Sequence, residues 1–96
     1  MGEEYSCYAL LLRKPVNGGN DFLALPIQNE EVLGFTVLSE LKAGYRPALL
    51  FRTLNREIQE EVYDFLENEV ELRPETRLGD VEKLVLEEFP EGVESK

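Results

Sequence analysis

Apolar residues are dense in YSCYALLLR, residues 5–13, and again in FLALPI, residues 22–27. Both segments favour extended backbone. Between them KPVNGGND carries Asn17-Gly18-Gly19-Asn20, whose residues accept the positive φ angles of a tight reversal, so a hairpin is expected. Strand side chains alternate between faces, which sets Tyr8, Leu10 and Leu12 against Cys7, Ala9 and Leu11. The second segment sets Leu23, Leu25 and Ile27 against Phe22, Ala24 and Pro26. No polar residues alternate with the apolar ones, so each face of the ribbon needs cover. Pro26 cannot donate to a ladder and belongs at an edge or a strand end.

The pattern then changes period. Asn29 is a favoured N-cap, Glu30 and Glu31 suit the positive end of a helix dipole, and Gly34, Val37, Leu38 and Leu41 form a stripe. Gly44 fits the position just past the helix end, with Pro47 beyond it, so a helix is predicted over 29–43. A second stripe, Leu50, Phe51, Leu54, Ile58, Val62, Phe65 and Leu66, predicts a helix over 48–69, clearest from Asn55 to Asn68. PALLF at 47–51 also reads as a short buried strand, with the helix starting afresh near Thr53 or Asn55. Pro74 and Gly79 break VELRPETRLGD. VEKLVLEEF at 81–89 is read as a third strand in preference to a short helix capped by Asp80. The polar tail, residues 90–96, is expected to fray.

The expected architecture is a single α+β domain spanning 1–96. An N-terminal hairpin and a late strand form a small, mostly antiparallel sheet packed against two helices. One sheet face should receive Leu38, Leu41, Leu54, Ile58 and Phe65. Two helices cannot dress both faces and also pack on each other. The face of Cys7, Ala9, Leu11, Phe22 and Ala24 is therefore expected to be a self-association surface, which makes the protein a homo-oligomer.

Charge narrows the partners. The net charge is −10, from 10 basic and 20 acidic residues. Residues 1–54 hold five Lys/Arg against six Asp/Glu, while residues 55–96 hold five against fourteen. Nonspecific nucleic-acid affinity comes from cations meeting phosphates, so such binding requires Arg13, Lys14, Lys42, Arg46 and Arg52 to converge. A basic protein is the better match. Glu57, Glu60, Glu61 and Asp64 share one helix face and form the candidate partner surface; the same spacing suits a solvated face or a hard cation.

Reactive chemistry is sparse. The chain has no histidine and one cysteine. Ser-His-Asp and Cys-His catalysis and imidazole or Cys₄ zinc sites are thereby removed. Cys7 lies in an apolar strand, where a thiol is inert packing. A lone cysteine also cannot form an internal disulfide, so a reducing, cytoplasmic setting is expected. No apolar run approaches the ~20 residues of a membrane span, and MGEEYS lacks the regions of a secretory signal. Those six residues do match the spacing for N-myristoylation at Gly2, without a basic cluster to supply a second membrane signal. No motif assigns a catalytic, cofactor-binding or metal-binding residue.

Leu25-Pro26-Ile27, Arg46-Pro47 and Val81-Glu82-Lys83-Leu84-Val85-Leu86 together resemble part of the bifunctional nuclease family, over roughly residues 8 to 88. The resemblance implies a related fold and cleavage of DNA and RNA. The family's pattern continues into Trp-Ile-Gly and a glutamate after Leu-Pro-Ile, and into Leu-Thr-His-Asp after Arg-Pro. Here Gln28-Asn29-Glu30 and Ala48-Leu49-Leu50-Phe51 stand in those places, without the polar residues that would do chemistry.

Three functional expectations follow. The first is a small, acidic, non-enzymatic interaction or regulatory module that self-associates. The second is a divalent-metal-dependent nuclease or hydrolase using Glu57, Glu60, Glu61 and Asp64 or the Glu30-Glu31 pair. The third is an acidic inhibitor that mimics nucleic acid.

Overall fold

The computed structural model of the chain describes residues 6–90 and 93–95. Gly2, the candidate myristoylation site, lies outside them. Strands β1 (Cys7–Val16) and β2 (Gly19–Ile27) form the expected hairpin, in register from Tyr8 opposite Ile27 to Val16 opposite Gly19. Its turn is Asn17-Gly18, and Gly18 takes φ 84°, a left-handed conformation that a side chain disfavours. Helix α1 (Glu30–Lys42) follows, with the Asn29 side chain accepting from Val32 N. Gly44, at φ 98°, stands just past its end.

Residues 46–53 are a strand, β3 (Arg46–Thr53), so the single helix expected over 48–69 is corrected to a strand followed by a shorter helix. The physical reason is β1. It is apolar on both faces and has two edges, and only one edge is used by β2. β3 pairs antiparallel with the other, from Cys7 opposite Thr53 to Arg13 opposite Arg46. The register skips Ala48 between the pairs Leu11–Leu49 and Leu12–Pro47, a one-residue bulge that keeps Ala48 inside. Leu49 and Phe51 then point to one face and Leu50 to the other. Asn55 restarts the helix, its side chain accepting from Glu57 N at 2.8 Å and Ile58 N at 3.4 Å.

Helix α2 (Arg56–Asp64) runs into a π-helical turn at Phe65–Glu69, closed by Val70 N donating to Phe65 O. Residues 78–88 form helix α3 (Leu78–Glu88), which corrects the strand expected over 81–89. Leu78, Val81 and Val85 follow helical spacing and pack inward, whereas Leu84 and Leu86, which a strand would have turned in together, stay exposed. A late strand does join the sheet, from within the expected tail: β4 (Val93–Ser95) pairs with β3. The sheet order is β2-β1-β3-β4, antiparallel throughout.

The result is an α+β sheet covered on both faces. On one face Ala9, Leu11, Ala24, Leu49 and Phe51 meet Val62, Leu66, Val70, Val81 and Val85 from α2, the π-turn and α3. On the other, Tyr8, Leu10, Leu12 and Ile27 meet Leu33 and Val37 from α1. The two predicted helices thus lie on opposite sides of the sheet. Of the residues expected to fill one face together, Ile58 and Phe65 pack against the first cluster, while Leu38 and Leu54 are exposed. Both faces do need cover, and the same chain supplies it, with α1 on one side and α2, the π-turn and α3 on the other.

Candidate functional site

The face of Cys7, Ala9, Leu11, Phe22 and Ala24 is not a surface. Cys7, Ala9, Leu11 and Ala24 are buried within the protomer and Phe22 is half-buried against the same core. α2, the π-turn and α3 occupy the space a second chain would have needed there. Cys7 Sγ donates to Thr53 O at 3.3 Å, and burial pushes its thiol above the ordinary cysteine pKa. A thiol so placed carries little thiolate at neutral pH and is no nucleophile.

α2 is held by its apolar stripe and also by one polar side chain that the stripe conceals. Gln59 is the one buried polar residue among those described, and its Nε2 donates to Tyr8 O at 2.8 Å and to Ile27 O at 2.7 Å. Tyr8 and Ile27 are the last registered pair of the hairpin, so the amide supplies a rung where β2 ends. Gln59 stands three residues before Val62 and seven before Leu66, in a core register; a polar residue there was the signal available in the sequence.

With α2 held in this way, Glu57, Glu60, Glu61 and Asp64 point outward, all exposed, around a shallow depression that they share with Tyr63. Asn68 Nδ2 donates to Asp64 Oδ1 at 2.6 Å. Glu57, Glu60 and Glu61 make no ion pair among the described residues, where the one salt bridge is Arg73 to Glu71. Nor do any three His, Cys, Asp or Glu among the described residues converge as metal ligands. The Glu30-Glu31 pair separates: Tyr8 OH donates to Glu30 Oε2 at 3.2 Å, tying the start of α1 to β1. Burial, and then the Glu30 carboxylate, raise the Tyr8 pKa.

The cations divide. Arg13 and Arg46 are opposed across β1 and β3, and the Lys14 stem passes beside Gly44, just beyond Lys42. Arg52 sits at the other end of the sheet, its Nε donating to Ser6 Oγ at 3.0 Å. Four of the five therefore gather at one corner. That corner also holds Asp21, opposite Lys14 in the hairpin and hydrogen-bonded by Tyr45 OH at 3.0 Å. A cleft of about 690 Å³ between β3, the start of α2 and the end of α3 is lined by Arg52, Leu54, Asn55, Ile58 and Phe89 among others. It brings one cation, Arg52, together with the Glu88 carboxylate and the Thr53 hydroxyl, which accepts from Asn55 N at 3.0 Å.

The surface the sequence reading missed is on α1. This helix has no buried residue, although Leu33 and Val37 cover the sheet. Its opposite side exposes Phe35 to 72% and Leu38 to 62%, with Val32 and Leu41 exposed at the flanks. The signal was in EEVLGFTVLSELK, whose apolar residues at 32, 33, 35, 37, 38 and 41 are too many and too widely spread for one stripe. No described helix is long and apolar enough to cross a membrane.

Compared with protein-family models, with characterised proteins and with solved structures, the chain matches none.

Proposed function

We propose that this protein is a non-catalytic interaction module that works through two helix faces on opposite sides of its sheet. The observation that carries the reading is the outward face of α1. Scattered surface leucines are ordinary, but a phenylalanine and a leucine lying together, both more than half exposed on a helix with no buried residue, support a docking role for this face. The carboxylates of Glu57, Glu60, Glu61 and Asp64 on α2 supply a second face suited to a basic protein. A metal-dependent nuclease, the activity implied by the resemblance to the bifunctional nuclease family, needs converging ligands, and the described carboxylates and Cys7 do not converge.

The test is photo-crosslinking in the native cell. A photoreactive phenylalanine analogue replaces Phe35 in one version of the protein and Asn17, at the exposed hairpin turn, in another. Adducts at position 35 and none at 17 are expected. Absence of adducts at position 35 would retire the reading.

A further inference from the structure

We propose that the occupant of the α1 face is a second copy of this chain, the two α1 helices packing antiparallel about a two-fold axis. This rests on the interaction-module reading and names its partner.

Along the outward side of α1 the residues Glu31, Phe35, Leu38 and Lys42 follow one another at steps of four, three and four. That is the spacing of a seam between two packed helices. The seam is also symmetric about the point between Thr36 and Val37. Reversing the helix places Phe35 against Leu38 of the partner subunit, and Glu31 against Lys42 of the partner subunit. At the flanks Val32 mirrors Leu41, each 36% exposed, and Gly34 mirrors Ser39. The small pair lets the helices approach, and Gly34 has no neighbour in its own chain that would require a glycine. An isologous contact of this kind closes on itself as a dimer.

Charge selects this partner over others. Among the described residues Glu31 and Lys42 make no ion pair, and they lie at opposite ends of the seam. A uniformly basic helix would meet Lys42, and a uniformly acidic one would meet Glu31. A reversed copy meets opposite charge at both ends, with the two helix dipoles opposed. The strongly acidic elements, α2 and α3, are on the far side of the sheet, so like charges are turned apart.

The apolar surface available is modest. Taking ~200 Å² for a fully exposed large side chain, the seam and its flanks offer at most roughly 400 Å² per protomer, about half of what a standard interface buries on each partner. An interface this small belongs to the weak, reversible class, and area alone does not set its affinity; a Kd on the order of 10–100 µM is the range expected of such a contact.

Sedimentation velocity from about 5 to 500 µM tests this across the expected Kd range. The wild type should pass from monomer to dimer. F35D should stay monomeric with an unchanged far-UV circular dichroism spectrum, because Phe35 contributes little to the core. E31K and K42E should each weaken the dimer roughly five- to tenfold, and E31K/K42E together should return to within about twofold of the wild type. A monomeric wild type at the highest concentration, an F35D dimer, or a double variant no better than the singles would each overturn the proposal. A monomeric wild type whose Phe35 position still crosslinks to a different protein would sink the second-copy proposal and leave the module reading standing. No dimer and no crosslink would remove both.

Discussion

Replacing Gln59 by methionine removes two hydrogen bonds while keeping much of the side chain's length and volume. In the native protein Gln59 is 4% exposed and its amide satisfies Tyr8 O and Ile27 O at 2.8 and 2.7 Å. Gln59→Met leaves both carbonyls facing a thioether, which has no proton to donate to either. Leaving a buried polar group unsatisfied costs about 1–3 kcal/mol, so two carbonyls cost about 2–6 kcal/mol, and relaxation around the end of β2 recovers part of it, leaving an expected loss of about 2–4 kcal/mol. Against the roughly 5–14 kcal/mol available to a chain of this length, that is a large fraction. Urea unfolding followed by circular dichroism measures it directly. Gln59→Glu sharpens the test, because it puts a carboxylate against two carbonyl oxygens. Its folded-state pKa must rise, so the variant should be more stable at low pH and lose stability as pH rises through that raised value. If Gln59→Met costs less than about 0.5 kcal/mol, the amide is not the tie that holds α2 to the hairpin.

Two glycines should respond in opposite directions. A Cβ on Gly19 would overlap Pro74 O, the acceptor of Asn20 N, so Gly19→Ala should destabilise by about 1–3 kcal/mol in urea unfolding. Gly34 lies in the interior of α1 with open space around it, and Gly34→Ala, measured at low micromolar concentration, should stabilise by about 0.5–1 kcal/mol. Stability should also fall in alkali. Burial and Glu30 raise the Tyr8 pKa, so the folded state favours the protonated phenol while the unfolded chain ionises near the ordinary value of about 10. The contribution is present in full below that value and is lost as pH rises through the folded one. Unfolding curves from about pH 8 to 11, with tyrosinate absorbance, should show the decline, and Tyr8→Phe should make it shallower; a steeper decline in the variant would contradict the assignment.

The local signals were legible because each depends on a few adjacent residues. Asn17-Gly18 turned the hairpin, Asn29 capped α1, Gly44 ended it, and Asn55 restarted the chain as a helix. The candidate surfaces were legible only in part. Glu57, Glu60, Glu61 and Asp64 stand on one exposed face, as their spacing requires. Phe35 was hidden because its helix carries apolar residues around most of its circumference, and a single-stripe reading takes the wrong set.

From the sequence alone came the α+β class, the N-terminal hairpin, the apolar character of both ribbon faces and the absence of histidine chemistry, all properties of neighbouring residues or of composition. The tertiary structure decided what answers the apolar faces. Residues 47–51 and 81–89 each fit strand and helix periods, and the choice between them was made by a distant element. β1 had a free edge that residues 46–53 took, the next edge went to β4, and Val81 and Val85 pack as a helix over the face that Leu49 and Phe51 help to form. Those partners lie some thirty residues apart, and no short window along the chain contains them.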